Sequence, residues 1–488
     1  MSSIPTRAGK GAEERQSYAQ ERLWFLDQLH PGLDWYLMPF ATRLHGRLNT
    51  KALEVALLAI EQRQETLRTT FYSADGINFQ VVQPFIEKKL TIIDLSHSQP
   101  KQTSIDGFLE RDRSTPIDLK QEAGWRVNLY KLSQDEHVLS IVMHHIVSDG
   151  WSIDVLRRQL AQLYSEAVRG EDILSTTRQL PIQYRDFSVW QRDQEQASGH
   201  KEQLDYWLEQ LRDSRPAEFP CDLIRPPSLS GKADVQSMRI ERPVYTKLQH
   251  FCKQRGLTPF VVLLAAFRVA HLRLTGATDA TIGMPNANRD RWELKDMIGF
   301  FVNVQCLRLQ AEPTDSFDSL IERVQETTTA SFANQDVPFE RIVSNLQKDR
   351  DVSRNPLVQV MFAFHAQKDL GNFTLEGVET EAIARGITSR FDMEMHFFQE
   401  KDAFQGQLIF STDLFIPESI SAILSVLSKV IEEALDDTTL PMDLLPLMTD
   451  EGYSGLVNMG LIEIKKTIYP ADSTIVDVFC QQVSETPT

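Results

Sequence analysis

MHHIVSDGWS, residues 143–152, is the stretch that decides how this chain is interpreted. Residues 138–143 form a brief apolar run rich in β-branched side chains, which predicts a buried strand. Apolar residues then recur at helical spacing through residues 153–167, which predicts a helix. The histidines and the aspartate therefore lie at a strand-to-helix junction, in an arrangement suited to proton transfer.

The two adjacent histidines are predicted to differ in role. Successive side chains of a strand point to opposite faces, so His144 and His145 cannot both face one cleft. One of them should therefore be structural. Asp149 can act as a direct base or can cap the following helix. Gly150 either lets the backbone pass close to a ligand or forms a plain turn.

Composition indicates a globular chain of two lobes. Its 488 residues exceed one ordinary core and suit two domains of about 200 residues each. The formal net charge of −17 argues against a nucleic-acid or anionic-membrane partner, since both would favour a basic surface. Four widely spaced cysteines without a CxxC pair fit neither a zinc ribbon nor a disulfide framework. Because HxxxH and HExxH patterns are absent too, we expect no metal site.

The chain is also expected to be cytoplasmic. Residues 1–16 form a polar tail without the apolar core of a signal peptide. No run of about 18 apolar residues follows anywhere in the sequence, so no membrane span is predicted.

A proline-rich seam divides the sequence. Residues 212–232, RDSRPAEFPCDLIRPPSLSGK, are typical of a crossover between lobes. We therefore predict an N-terminal lobe over 17–211 and a C-terminal lobe over 233–445. Helical patterns alternate with β-rich segments in both, which indicates α/β lobes. In the second, residues 258–274 predict a helix with Thr258 as its cap and Pro259 as its first residue.

Seven motifs give the chain a family resemblance. From about residue 17 to residue 445 it resembles a condensation domain of nonribosomal peptide synthetases, with the motifs in the family's order. They are SYAQERLWFLDQL (17–29), RQETLRTTF (63–71), MHHIVSDGWS (143–152), YRDFSVWQ (184–191), IGFFVNVQCLR (298–308), NQDVPFE (334–340) and RDVSRNPL (350–357). Residues 446–488 resemble the linker toward an adenylation domain, which implies a monomeric piece excised from a larger synthetase.

Three positions depart from the family pattern. Gln64 stands where the second motif usually has histidine, and Asn334 stands where the sixth usually has histidine. Asn288 occupies a position in GMPNANRD where glycine is common. None of these changes touches the third motif, so they put local hydrogen bonding and substrate preference in doubt, not the reaction class.

The resemblance implies a fold and a reaction. The fold would be two chloramphenicol-acetyltransferase-like lobes in a V-shaped pseudodimer with a central tunnel. Upstream donor and downstream acceptor carrier domains would insert phosphopantetheine arms from opposite mouths, so that a thioester and an amine meet beside the third motif. An imidazole with a pKa of about 6.5 suits an amine with a pKa of about 8. The product would be a peptide bond.

The resemblance also implies roles for the site residues. His145 would orient or deprotonate the amine, and His144 would be a structural hydrogen-bonding residue. Asp149 would form an ion pair that shapes the site, with Arg289 as the best partner and Arg63 and Arg68 as alternatives.

The remaining candidate site residues each have two possible roles. Trp151 and Ser152 either line the tunnel or begin the helix. Asn355, in the seventh motif, hydrogen-bonds the substrate region or closes a loop.

The same motif residues distinguish condensation from the related activities of this fold. His144 occupies the position of the first aspartate of the cyclization motif, which disfavours ring formation. The later motifs favour condensation over epimerization. Two alternatives stay open: an ester-forming domain, in which His145 would activate a hydroxyl, and a non-catalytic platform that docks carrier proteins.

Overall fold

The computed structural model describes residues 4–6, 13–29, 32, 34–97, 101–194, 198–346, 353–366, 374–383 and 387–448. The chain divides into two compact units, Met1–Leu445 and Pro446–Thr488. Most of the predicted tail 1–16, the start of the seventh motif and nearly all of the predicted linker 446–488 lie outside the described residues.

The described strands are, in chain order, β1 (Glu13–Arg15), β2 (Leu37–His45), β3 (Thr69–Ala74), β4 (Ile77–Val82), β5 (Thr91–Asp94), β6 (Trp125–Lys131), β7 (Glu136–His144), β8 (Ala233–Ile240), β9 (Asp279–Asn286), β10 (Asn303–Gln310), β11 (Val360–His365), β12 (Glu379–Ile383), β13 (Met393–Gln399) and β14 (Phe404–Ser411).

The described α-helices are α1 (Tyr18–Leu29), α2 (Thr50–Arg63), α3 (Lys101–Ser114), α4 (Gly150–Val168), α5 (Ile173–Thr176), α6 (Tyr184–Gln194), α7 (Ser198–Gln210), α8 (Arg242–Arg255), α9 (Pro259–Thr275), α10 (Phe317–Ala333), α11 (Phe339–Leu346) and α12 (Pro417–Ala434). Short 3₁₀ turns occupy Glu65–Arg68, His145–Val147, Trp292–Leu294 and Met442–Leu444.

The first lobe is built on a five-stranded sheet in the order β12-β2-β7-β6-β5. Its central strand β7 is buried on both faces: Leu139 and Ile141 pack with helices α2 and α4, whereas Val142 packs with Trp24 of α1 on the other side. A strand covered on both faces needs apolar residues at successive positions, which explains the unbroken run before the histidines. A smaller sheet, β1-β4-β3, lies in the same half of the sequence.

The second lobe carries a six-stranded sheet in the order β10-β9-β11-β13-β14-β8. The predicted helix at 258–274 is found as α9, which is buried over most of its length. The side chain of Thr258 accepts a hydrogen bond from the N–H of Val261, and Pro259 opens the helix. Gly276 ends it in the left-handed conformation at φ 70°. The lobes are thus of the predicted mixed α/β class.

Two segments cross between the lobes at places that the sequence did not predict. Strand β12 belongs to the second lobe by position, yet it pairs antiparallel with β2 and extends the first lobe's sheet. Helix α7 belongs to the first lobe by position, yet its Trp207 packs with Val337 and Phe339 of the second. The boundaries 17–211 and 233–445 stay predictions, and these two segments pack against the half of the chain to which they do not belong by position.

Within the described residues, no single helix combines the length and apolar character needed to cross a membrane. Helices α8 and α9 pass that test only as a pair, with a bend of 113° between them.

Candidate functional site

The strand-to-helix junction lies where the sequence predicted it. Strand β7 ends at His144, and His145 opens a 3₁₀ turn that runs to Val147. Asp149 then caps α4, because its side chain accepts a hydrogen bond from the N–H of Ser152. The helix begins at Gly150, three residues before the predicted start, since the cap supplies an acceptor for its first turn.

His144 has the environment of a structural residue. Its side chain is buried, and Nδ1 accepts a hydrogen bond of 3.0 Å from the N–H of Ile146. Burial, helped by the positive charge of Arg390, lowers the pKa of His144 to about 3. The imidazole is therefore neutral near pH 7, and it holds the turn that presents the next residue.

His145 lies half-buried where the two lobes meet. Its backbone N–H donates to the carbonyl of Tyr36 at 2.8 Å. Its ring stands edge-on to Phe300 with ring centroids 5.3 Å apart and an interplanar angle of 69°. Phe300 belongs to the loop between β9 and β10 (residues 287–302, called the β9–β10 loop). A residue of the second lobe thus sets one wall beside the imidazole.

Asp149 forms a buried ion pair with Arg289, the partner that the sequence ranked first. Nη2 of Arg289 lies 3.0 Å and 3.2 Å from the two carboxylate oxygens, and neither side chain is more than 1% exposed. The same carboxylate accepts hydrogen bonds from the N–H groups of Ser152 at 2.8 Å and Phe301 at 3.0 Å. The alternative partner Arg68 contacts Glu65 instead. With its oxygens committed in this way, Asp149 is placed to hold the lobes together.

Arg289 fixes the β9–β10 loop from within. Its Nη1 donates to the carbonyls of Leu294 at 2.7 Å and Met297 at 2.6 Å, and its guanidinium lies 4.2 Å from the ring centroid of Phe301. Burial lowers the pKa of Arg289, while the charge of Asp149 acts in the opposite direction. The ion pair therefore joins α4 of one lobe to the loop that carries Phe300.

Further hydrogen bonds join the same elements. Oγ of Ser152 lies 2.7 Å from the Asp149 carboxylate and accepts from the N–H of Gly299 at 3.0 Å. Gln64, one of the departures from the family pattern, accepts from the N–H of Ile298 at 2.9 Å and donates to the carbonyl of Asp296 at 2.8 Å. An amide does both without titrating, so this contact does not depend on protonation.

The other predicted site residues are more dispersed. Gly150 is exposed, and a Cβ placed there would meet nothing within 4 Å, so the protein itself imposes no need for glycine. Trp151 lies on the first turn of α4, 43% exposed, and its Nε1 donates to the carbonyl of Lys295 at 2.9 Å. Asn355 lies in a loop before β11, and its amide donates to the carbonyl of Arg390. Among the described residues, no hydrogen bond joins Asn355 to His145, Asp149 or Arg289.

Asn288, a second departure, adopts the left-handed conformation at φ 53°. Glycine and asparagine are the residues that tolerate this region best, which explains why asparagine can replace the common glycine.

The sequence did not single out Tyr36, Phe300 or Arg390. Phe300 lies in the fifth motif, but that motif does not show that its ring contacts His145; Tyr36 and Arg390 lie in none of the seven motifs, so local pattern gives no signal for them. Tyr36 and Arg390 also line a cavity of about 790 Å³. No group of three or more histidine, cysteine, aspartate or glutamate side chains among the described residues is arranged to hold a metal ion.

Comparison with known proteins adds three findings. The family described as Condensation domain matches residues 14–457. Nonribosomal peptide synthetase dtxS1 of Metarhizium robertsii is 57% identical over 470 residues, which are 96% of this chain and 6% of that protein. Beauvericin nonribosomal cyclodepsipeptide synthetase BEA1 of Gibberella fujikuroi is 50% identical over 485 residues, 99% of this chain and 15% of the relative. The chain thus spans a small part of these relatives.

Among solved structures, the X-domain in its complex with OxyB from teicoplanin biosynthesis matches with a TM-score of 0.84 at 25% identity. The match covers 92% of this chain and 99% of that one. It agrees with the predicted fold of two chloramphenicol-acetyltransferase-like lobes.

Proposed function

This chain belongs to the condensation domain family of nonribosomal peptide synthetases, a family of acyltransferase-type catalytic domains, and from that premise we propose that it forms peptide bonds. The donor would be an aminoacyl or peptidyl thioester, and the acceptor an aminoacyl thioester. Both would arrive on phosphopantetheine arms of carrier domains, so the arms are part of the substrates. An adenylation domain would adjoin it in the same polypeptide.

In the proposed reaction the acceptor amine attacks the carbonyl carbon of the donor thioester. A C–N bond forms and the C–S bond breaks, so that the donor's phosphopantetheine thiol leaves. His145 takes or orients the proton that the amine loses, and this proton ends on the departing thiolate. Holding the two reactants together would supply much of the rate enhancement, since bound groups react as if at very high concentration.

The observation that supports this assignment is the division of labour within the third motif. His144 is buried and held neutral by its surroundings, and the Asp149 carboxylate is committed to Arg289, Ser152 and Phe301. His145 is the half-buried titratable group of the motif, beside a loop of the opposite lobe. This leaves one imidazole placed to meet a substrate amine.

The test uses the chain with loaded donor and acceptor carrier domains, and intact-protein mass spectrometry to detect the dipeptidyl thioester. We expect His145→Ala to slow product formation by about 10²- to 10⁴-fold, the range typical for loss of general acid–base catalysis. The control is His250→Ala on the exposed face of α8, which should leave the rate unchanged. An unchanged rate for His145→Ala, with wild type active, would contradict the proposed role.

An ester product is the second candidate, and it has support from a relative. One similar protein is named as a cyclodepsipeptide synthetase, and such products contain ester bonds. The same imidazole could take a proton from a hydroxyl. Offering the domain paired aminoacyl-loaded and hydroxyacyl-loaded acceptor carriers separates the two: mild base releases both products from the carrier thioester, but it splits only the ester product into its two component acids. A wild-type domain inactive with both acceptors would favour the non-catalytic docking platform.

The V-shaped arrangement with a central tunnel, the monomeric state and the cytoplasmic location stay predictions. Sedimentation of the isolated chain would test the second of these.

A further inference from the structure

The cavity of about 790 Å³ has a distinctive chemical character. Most of its wall is apolar, with side chains contributed by α1, the crossover and the loop before β11. Among them are Phe25, Leu26, Leu29, Trp35, Leu229 and Leu357. Such a wall fits an aliphatic or aromatic group, with the few polar side chains on it available to orient that group.

Most charged side chains on this wall already have a partner. Arg22 contacts Glu340 at 3.5 Å, and Glu21 forms an ion pair of 2.8 Å with Arg192. Arg354 pairs with Glu218. These pairs neutralise the charge that they bring to the cavity.

Arg390 is different. Its guanidinium lies 5.3 Å from the ring centroid of Tyr36, a cation–π contact. Among the residues that the structure describes, no carboxylate or carbonyl accepts a hydrogen bond from it. An arginine stays protonated in proteins and offers five N–H donors, and Arg390 is one of the residues that line the cavity.

The carboxylate whose charge acts on Arg390, that of Glu394, has other hydrogen-bond partners. Glu394 accepts a hydrogen bond of 2.7 Å from Ser389 and lies 3.7 Å from Nε2 of His396. His396 in turn lies 3.1 Å from Nε2 of His365. Burial lowers the pKa of Arg390 while the charge of Glu394 acts to raise it, and no hydrogen bond joins the two side chains among the described residues.

Arg390 also lies close to the third motif. Tyr36, on which the guanidinium rests, accepts the backbone N–H of His145 through its carbonyl oxygen and places its ring 6.2 Å from that of His144. The positive charge of Arg390 is felt at His144. A group bound to Arg390 would therefore lie beside Tyr36, the residue that contacts both histidines of the third motif.

We infer that Arg390 is a positioning residue that binds the carbonyl oxygen of a thioester-linked aminoacyl group, whose apolar side chain occupies the adjoining cavity. The inference rests on the proposed function for its substrate class. Either the donor or the acceptor arm could carry this carbonyl, and the two are distinguished by experiment. Arginine is suited to the task because its planar donors can grip an oxygen while Tyr36 holds the guanidinium plane.

The experiment measures binding, so that it does not depend on turnover. Calorimetry compares S-leucyl-N-acetylcysteamine with the thioether analogue in which a CH₂ group replaces the carbonyl. We expect wild type to prefer the thioester by about 10- to 100-fold, as for a hydrogen bond to a charged group. Arg390→Met should abolish this preference, whereas Arg390→Lys, which keeps the charge but loses the planar fork, should retain part of it.

The matched control is Arg239→Met, which removes an arginine paired with Glu400 on strand β8, outside the cavity. It should keep the full preference. The series is then repeated with the N-formylleucyl thioester, which mimics the donor. The preference for thioester over thioether should appear with the leucyl form, the N-formylleucyl form or both, and the form that shows it identifies the arm that carries the carbonyl.

A wild-type protein without preference in either series, or an Arg390→Met variant that keeps it, would overturn the inference. If wild type prefers the thioesters yet forms no product with loaded carriers, the proposed function fails while the assignment of Arg390 stands. Far-ultraviolet circular dichroism confirms folding of each variant, and the backbone carbonyl that accepts from Asn355 is kept in all of them.

Discussion

Replacement of Asp149 by asparagine should destabilise the protein strongly. The substitution keeps the shape of the side chain and removes its charge, which leaves the Arg289 guanidinium buried without a counter-ion. Both side chains are at most 1% exposed, so water cannot compensate. The amide also turns an N–H donor toward either the N–H of Phe301 or the guanidinium, where the carboxylate had offered oxygens.

The expected cost follows from this geometry. Breaking a buried pair by removing one partner costs about 3–5 kcal/mol of the free energy of unfolding. A mispaired buried donor costs about 1–3 kcal/mol, and it forms part of that total. The double variant Asp149→Leu with Arg289→Met should cost less than the sum of the two single changes, because no charge is then left unpaired.

The assay is urea unfolding at pH 7.5, followed in parallel by circular dichroism and tryptophan fluorescence. Asp205→Asn serves as the control, since its partner Lys201 and the carboxylate are 79% and 58% exposed, and an exposed pair contributes little. A loss below about 1 kcal/mol for Asp149→Asn, or strict additivity in the double variant, would refute the reasoning that this pair joins the lobes.

Two other regions give further predictions. Burial, with the charge of Arg268 as a smaller cause, lowers the pKa of His271 to about 4. The unfolded chain, in which the histidine has a pKa of about 6.5, therefore binds the proton more tightly than the folded chain. The folded state keeps its full stability above about pH 6.5 and loses it as the pH falls toward 4, by about 2 kcal/mol at pH 5. His271→Gln should flatten that slope in unfolding curves at pH 5 and 7.5, and an unchanged slope would contradict the assignment. A Cβ at position 299 would overlap the Tyr184 ring, so Gly299→Ala should destabilise by about 1–3 kcal/mol and slow dipeptide formation by displacing the β9–β10 loop. Gly150→Ala meets no protein atom and should preserve the melting temperature; a large loss there would show that the glycine is needed for the fold.

The sequence predicted the parts of the fold that depend on neighbouring residues. The buried run before His144, the cap and first proline of α9 and the helix after Asp149 all follow from spacings within one or two turns. Alternation along a strand predicted that His144 and His145 differ in environment, and the buried His144 beside the half-buried His145 agrees with it; the catalytic role of His145 stays a prediction. The pairing of Asp149 with Arg289 was ranked first by resemblance to the family.

Other features arise from contacts across the chain, and local pattern could not predict them. The short segment that forms β12 has no spacing that distinguishes one sheet from another, because the edge that it joins is set by the tertiary fold. Tyr36 and Arg390 meet across more than 300 positions, and neither lies in a recognisable spacing. The chemistry near His145 therefore combines a predictable turn with walls that only the folded chain brings together.

The exchange of β12 has a practical consequence for protein engineers. If the polypeptide were cut at the proline-rich seam, β2 would lose its partner β12 and become an unpaired edge strand, which is prone to aggregation. A chimera that swaps the amino-terminal half between synthetases should therefore carry residues 379–383 from the same parent. Without them, the hybrid must rebuild a foreign interface along five backbone positions.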